Sequence, residues 1–87
     1  MYRVEFTEAA YDDFQKLAQS EKQAVFSFLT GLESDPRPPG IVAIAEPGAA
    51  DGFAYLYDTT RYMIIYHIFE AAKVVRVMWT NQKISQN

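Results

Sequence analysis

The segment YLYDTTRYMIIYHIF, residues 55–69, is almost continuously apolar and aromatic apart from the polar residues 58–61. Val, Ile, Tyr and Phe are enriched in strands, and a period of two places successive side chains on opposite faces of a sheet. With VVRVMWT, residues 74–80, this segment predicts an antiparallel hairpin whose tip lies at Ala71 and Ala72. The hairpin decides the fold, because the rest of the chain has to cover its apolar surface.

The N-terminal part of the chain predicts a strand followed by two helices. MYRVEF, residues 1–6, alternates as a half-buried strand does, and Thr7 is the predicted N-cap of a helix over EAAYDDFQKLAQ, residues 8–19. The pattern SEKQ at residues 20–23 has the form of a capping box and predicts the start of a second helix. DPRPPG, residues 35–40, ends it, so the two helices form an antiparallel hairpin.

The C-terminal half predicts strands. FAYLY, residues 53–57, is a strand, whereas IVAIA, residues 41–45, is either a short strand or an irregular apolar segment. Residues 81–87 form a polar tail. The predicted fold is α+β: one domain over residues 1–87, in which a two-helix hairpin packs on one face of a three- to four-stranded antiparallel sheet with an N-terminal strand.

Composition narrows the classes of function. The 87 residues include no cysteine, which excludes a disulfide framework and a thiolate metal site. The net charge of −3 counts against strong binding to free nucleic acid. We expect no metal, because no residues have metal-ligand spacing, and no cofactor, because there is no nucleotide-binding loop. We also expect no membrane span and a cytoplasmic location, since the longest apolar run, around residues 63–69, is short.

The expected register of the sheet sorts its side chains onto two faces. It places Tyr57 opposite Arg61, and His67 opposite Arg76. One aliphatic face is predicted to receive the helices and holds Ala54, Leu56, Tyr62, Ile64, Tyr66, Ile68, Val75, Val77 and Trp79. The other holds Phe53, Tyr55, Tyr57, Arg61, Met63, His67, Arg76, Thr80 and Gln82.

The second face mixes aromatic rings with cations. Clusters of this kind mark binding surfaces. The predicted binding residues are Phe53, Tyr55, Tyr57, Arg61, Met63 and Arg76. The alternative is that loops of the chain, or the second subunit of a homodimer formed through this aromatic face, simply bury it.

The order of elements and several motifs resemble the RelE/ParE superfamily, the toxins of bacterial toxin–antitoxin pairs. YRVEFTEAAYDDFQKLAQSEKQAVFSFLTGLESDPRP, residues 2–38, is similar to the family's opening strand, helical hairpin and D/N-P-R motif. RYMIIYHIFEAAKVVRVMWT, residues 61–80, resembles its Y-R-hydrophobic-hydrophobic-Y hairpin. The resemblance implies a cytoplasmic protein neutralised by a cognate antitoxin. It also implies either cleavage of mRNA in the ribosomal A site, as in RelE-like members, or action on DNA gyrase, as in ParE-like members.

The chain departs from this family where cleavage needs cations. Positioned cations stabilise the charge that develops on a scissile phosphate. The family's Arg in the hairpin motif is Met63 here, and the cations of the preceding strand fall at Tyr55 and Tyr57. The basic residue after the last strand falls near residues 82–84, where only Lys83 is basic. Two functions follow: a toxin-like protein that acts by binding, with a degenerate nuclease site, or an active ribosome-dependent endoribonuclease that inhibits translation.

Three residues are weak catalytic candidates. Arg61 could bind phosphate, but it could as easily pair with Asp58. Lys83 is the remaining cation near the end of the last strand. His67 is the only histidine, and its ordinary pKa would suit acid–base work, but a lone histidine is more often structural.

Overall fold

The computed structural model describes residues 1–49 and 52–83 and confirms the α+β fold class. The strands are β1 (Arg3–Phe6), β2 (Ile41–Ala45), β3 (Phe53–Asp58), β4 (Tyr62–Phe69) and β5 (Val74–Gln82), and the helices are α1 (Glu8–Gln15) and α2 (Gln19–Gly31). IVAIA is thus a strand. Because β5 continues through Gln82, the polar tail expected from residue 81 starts later, and residues 84–87 of that tail lie outside the described residues.

All five strands form one sheet in the order β1-β5-β4-β3-β2. β1 runs parallel to β5, and the other neighbours are antiparallel, so the sheet is mixed and not wholly antiparallel as expected. The central strands are β5, β4 and β3, and β1 and β2 are the edges. We call the sheet face that contacts the helices the core face and the opposite one the open face.

The first residue of each helix is set by a hydrogen bond at its N-terminus. The Thr7 hydroxyl accepts a bond of 3.1 Å from the backbone N–H of Ala10, which confirms Thr7 as an N-cap. The capping box expected at Ser20 is wrong, because the N-cap of α2 is Ala18, two residues earlier, and the helix starts at Gln19. The N–H of Ala18 instead donates 3.0 Å to the side-chain oxygen of Gln82, which ties α2 to the end of β5.

The core lies between the helices and the core face. Its buried members are Ala10, Leu17, Val25, Leu29, Leu32, Tyr55, Tyr62, Ile64, Tyr66, Ile68, Val75 and Val77. Two buried hydroxyls are satisfied within it: Tyr66 donates 2.8 Å to the carbonyl of Pro36, and Thr80 donates 3.0 Å to that of Ala10. These bonds fix the loop after α2 and α1, respectively, on the sheet.

Two register features correct the expected faces. The turn after β3 is longer than expected, so Tyr57 lies opposite Ile64 and not Arg61. Between β4 and β5 a bulge shifts the pairing, so that Ile65 lies opposite Trp79 and not Met78. Odd shifts of register exchange the faces of a strand. As a result Tyr55, Tyr57, Thr80 and Gln82 belong to the core face, and Ala54, Leu56 and Trp79 belong to the open face.

Candidate functional site

The open face carries the candidates Met63, His67 and Arg76, together with the apolar side chains that the register adds to it. Residues that pair across antiparallel strands share a face. One continuous row crosses four strands, from Val42 through Leu56 and Ile65 to Trp79. Both ends of this apolar row are exposed, Val42 at 56% and Trp79 at 52%. Within residues 1–49 and 52–83, both helices lie on the other side of the sheet.

Trp79 is the site residue that sequence reasoning missed. Alternation along VVRVMWT assigns it to the core with Val75 and Val77, but the extra residue at the bulge turns its indole to the open face. β-bulges commonly re-aim a side chain in this way. The bulge makes β5, with nine residues, one residue longer than its partner β4, a difference that only the structure reveals. Tryptophan is the residue type most enriched at interface hot spots, so its exposure points to a binding surface.

Tyr55 and Tyr57 do not lie on the open face, and that expectation is wrong. Tyr57 stacks on Phe28 of α2, with ring centroids 3.9 Å apart and planes at 12°. Tyr55 is buried beside Tyr66, at 5.8 Å, and Arg37 donates to its hydroxyl at 3.3 Å. Both rings therefore join the two layers of the fold. Any part they take in binding stays a prediction.

Phe53 is 45% exposed and pairs with Ala45 of the edge strand, on the same side of the sheet as Tyr55. It lies at the start of β3, on the opposite face of the sheet from Met63 and Arg76. The six predicted binding residues are thus divided between the two faces.

Arg61 is held by α2. Its guanidinium donates 3.0 Å to the Glu21 carboxylate, which is only 6% exposed. Hydrogen bonds from Ser20 and from Arg61 lower the pKa of Glu21 from its ordinary value. The pairing of Arg61 with Asp58 that the sequence left open is not formed. Asp58 contacts Lys83 instead.

Lys83 and Arg61 meet at one end of the sheet. The backbone N–H of Lys83 donates 2.7 Å to the carbonyl of Arg61, which brings the two chain segments together. Each side chain is nevertheless engaged by a carboxylate, Lys83 by Asp58 and Arg61 by Glu21. These two cations are neighbours, and the positive charge of each is compensated by a carboxylate.

His67 and Arg76 lie directly opposite each other, as the sequence predicts. Arg76 covers the ring of Phe69 at 4.8 Å and donates two bonds, of 3.1 and 3.0 Å, to one oxygen of Glu5. His67 is 8% exposed. Six residues of strand separate it from Arg61, roughly 20 Å, so the three catalytic candidates do not form one site.

Two further features of the described residues bear on function. In that part of the chain no group of His, Asp and Glu side chains is placed to hold a metal ion. Neither α1 nor α2 has the length and apolar character of a helix that crosses a membrane.

Comparison with known proteins identifies the fold. No protein-family model and no curated protein matches the sequence. Among solved structures, a chain of the archaeal RelE–RelB complex from Pyrococcus horikoshii matches at 20% identity, with 93% of each chain covered and a TM-score of 0.79. A chain of the toxin–antitoxin complex RelBE2 from Mycobacterium tuberculosis matches at 20% identity, with 94% of this chain and 98% of that chain covered and a TM-score of 0.77.

The isolated RelE toxin of Escherichia coli matches over 100% of this chain and 89% of that chain, at 17% identity and a TM-score of 0.68. Because that structure contains the toxin without its antitoxin, the similarity is to the toxin. The chain therefore has the fold of the RelE toxins, and the resemblance seen in the sequence is confirmed for the fold.

Proposed function

We propose that this protein is the toxin-like member of a toxin–antitoxin pair and that it acts by binding, without cleaving RNA. The fold supports the first part, since similar structures include a RelE–RelB complex and the toxin–antitoxin complex RelBE2. The proposed partner is a cognate antitoxin encoded beside this chain.

The proposal that the protein does not cleave RNA rests on the small number of cations at the expected site and on their pairing with carboxylates. RNA cleavage of the kind expected for RelE-like cutters relies on several cations around one phosphate. The hairpin position of the family's Arg is Met63, and the residues paired with it on the two neighbouring strands are Asp58 and Asn81, neither of which is basic. The cation that contacts this group, Lys83, is itself paired with the Asp58 carboxylate, so the site has no net positive charge where the reaction requires several cations.

The three other candidate cations of the sheet are each paired with a carboxylate. Arg61 pairs with Glu21, Arg76 with Glu5 and Lys83 with Asp58. Moving Arg61 onto a phosphate would leave the buried Glu21 carboxylate without its partner, and an uncompensated charge of this kind is costly. Transition-state contacts are typically worth about 2.7 to 4 kcal/mol each, so losing even one net cation lowers the rate by roughly a hundredfold or more.

The open face supplies a surface for binding instead. The apolar row from Val42 to Trp79 runs the width of four strands, and Met63 and Phe69 extend it along β4. Exposed apolar patches of this continuity are uncommon on monomers and mark interaction sites. We therefore place the contact with a protein partner on the open face.

The alternative, an active endoribonuclease, has one observation in its favour. Lys83 and Arg61 are adjacent at the end of the sheet, and both would become available if Asp58 and Glu21 were displaced by substrate. Ribosome-dependent cleavage would then rest on these two cations alone.

The experiment for the toxin–antitoxin proposal is inducible expression of this chain in bacteria, with and without the protein encoded by the adjacent reading frame. We expect growth arrest on expression alone and normal growth on co-expression, together with co-purification of the two proteins. Unimpaired growth on expression alone, with no complex formed, would contradict the proposal.

A further inference from the structure

Among residues 1–49 and 52–83 no strand pairs with the outer side of β2, and this edge of the sheet has little protection. Edge strands normally carry charges, Pro or bulges that prevent them from pairing with another chain. The five residues of β2, Ile41 to Ala45, contain none of these. Its exposed side chains are Val42, Ala43 and Ala45. At the other edge, by contrast, β1 has four residues and carries the charged side chains Arg3 and Glu5.

The pairing with β3 shows which backbone groups of β2 point outward. The N–H of Glu46 donates 2.9 Å to the carbonyl of Gly52, so this pair is hydrogen-bonded. Hydrogen-bonded and non-hydrogen-bonded pairs alternate along an antiparallel ladder. Residues 42 and 44 therefore bond to β3, and the N–H and C=O groups of Ile41, Ala43 and Ala45 point away from the sheet.

These outward groups match a second copy of the same strand. An antiparallel arrangement with its two-fold axis at Ala43 pairs Ala43 with itself, and Ile41 with Ala45 of the other copy. Every residue with outward groups then meets another such residue, which gives about six backbone hydrogen bonds. Val42 meets Ile44 on the open face, and the small Ala43 side chains leave the axis unobstructed. A self-complementary patch is what a two-fold dimer requires.

Charge is compatible with this arrangement. Although the chain carries a net charge of −3, no charged side chain lies between residues 41 and 45. In the same register Glu46 lies opposite Gly40 of the second copy, so its carboxylate does not face another carboxylate. The dimer therefore forms without a like-charge contact along the strand pair, and Pro38 and Pro39 limit its length, because proline cannot donate to the ladder.

From these observations we infer that two copies of this chain associate through β2 and form a continuous ten-stranded sheet with two open faces on the same side. A five-residue strand pair buries less surface than stable interfaces do, so the dimer is weak and forms at high protein concentration. This assembly is independent of the proposed toxin-like function and uses a different surface from the helix-covered layer. It would place two partner-binding faces in one assembly.

Residue-resolved amide hydrogen exchange tests the inference directly. On raising the protein concentration about a hundredfold, we expect exchange at Ile41, Ala43 and Ala45 to slow by about tenfold or more, while Val42 and Ile44, already bonded to β3, change little. Sedimentation over the same range should show monomer converting to dimer. Equal exchange at Ile41, Ala43 and Ala45 at both concentrations, or a monomer throughout, would overturn the inference.

A substitution gives the matched control. Ala43→Pro removes one outward N–H and leaves the bonds to β3 in place, whereas Ala43→Ser keeps that N–H. We expect Ala43→Pro to remain folded by circular dichroism and to be monomeric, and Ala43→Ser to dimerise as wild type does. If Ala43→Pro does not fold, Ala45→Pro serves the same purpose at the end of the strand. Dimers that persist in the folded Pro variant would overturn the inference, as would an edge that binds only a strand of an antitoxin and never a second copy.

Discussion

Arg61 and Glu21 form an ion pair of 3.0 Å in which the guanidinium side chain is 75% exposed and the carboxylate side chain 6%. Hydrogen bonds from Ser20 and Arg61 lower the pKa of Glu21 below its ordinary value of 4.5. A carboxyl group whose pKa is lower in the folded state stabilises the fold above its unfolded pKa, and this contribution is lost as the pH falls through the folded pKa.

We therefore predict that Arg61→Ala destabilises the protein at pH 7 and that the difference from wild type narrows as the pH is lowered from 4.5 towards the folded pKa of Glu21. Urea midpoints at several pH values measure this. In the Glu21→Gln background the same substitution should have little effect at pH 7, because its charged partner is gone. A destabilisation that is independent of pH would show that Arg61 acts through packing instead.

A second prediction concerns Tyr66, which is fully buried and donates 2.8 Å to the carbonyl of Pro36. Tyr66→Phe leaves that carbonyl without this donor, and we expect the free energy of unfolding to fall by about 1 kcal/mol. Tyr11→Phe, at a ring that is 50% exposed, is the control and should change it by less than about 0.5 kcal/mol. Chemical denaturation distinguishes the two, and equal effects would contradict the prediction.

The same tyrosine predicts an alkaline effect. Burial raises the pKa of Tyr66 above its ordinary value of 10. A group whose pKa is raised by folding contributes stability that is complete below the unfolded pKa and is lost as the pH rises through the folded pKa. Wild type should therefore lose more stability above about pH 10 than Tyr66→Phe does. Parallel slopes for the two proteins would contradict this.

How much of the strand register the sequence predicts depends on the turns and bulges between paired strands. The tip of the β4–β5 hairpin was predicted correctly, and so was the pairing of His67 with Arg76 next to it. Further along, the bulge opposite Ile65 and the longer turn at Thr59 each shift the register by an odd number of residues. Thr59 holds that turn through its hydroxyl, which donates 2.9 Å to the carbonyl of Tyr62.

The longer turn reverses the face of Tyr57, and the bulge reverses the face of Trp79. Neither the turn sequence DTTR nor the composition of the strands reveals these features. Alternation alone therefore predicts that a strand has two faces but not which face contacts the helices. The ion pairs of Arg61 and Lys83 were equally hidden, since their carboxylates, Glu21 and Asp58, both lie far away in sequence.

Trp79 provides the test of the open face. Removing a tryptophan that is an interface hot spot typically costs about 2 kcal/mol or more, so we expect Trp79→Ala to weaken binding of the antitoxin by about thirtyfold or more. Because the indole is half exposed, the stability of the folded protein should change little. Phe26→Ala, at a ring 65% exposed on α2, is the matched control and should bind normally. The two affinities are measured by isothermal titration. If Phe26→Ala weakened antitoxin binding more than Trp79→Ala, the partner would bind the helices and not the open face.

Binding to free RNA should be weak. The net charge is −3, and Arg61, Arg76 and Lys83 are each paired with a carboxylate, so few cations are available to release counterions from phosphates. Fluorescence anisotropy with labelled single-stranded RNA at low and high salt measures this. Submicromolar affinity with a steep dependence on salt would be inconsistent with the charge distribution described above.

Cleavage in a translating extract, mapped by primer extension, tests the central claim most directly. The comparison is wild type with Arg61→Ala and Lys83→Ala, and with Arg3→Ala as a control at an exposed cation on β1. We predict that wild type produces no codon-specific cuts, so that all four proteins give the same background pattern. Codon-specific cuts by wild type that disappear in Arg61→Ala or Lys83→Ala but persist in Arg3→Ala would show that these two cations form a working nuclease site, and would contradict a function by binding alone.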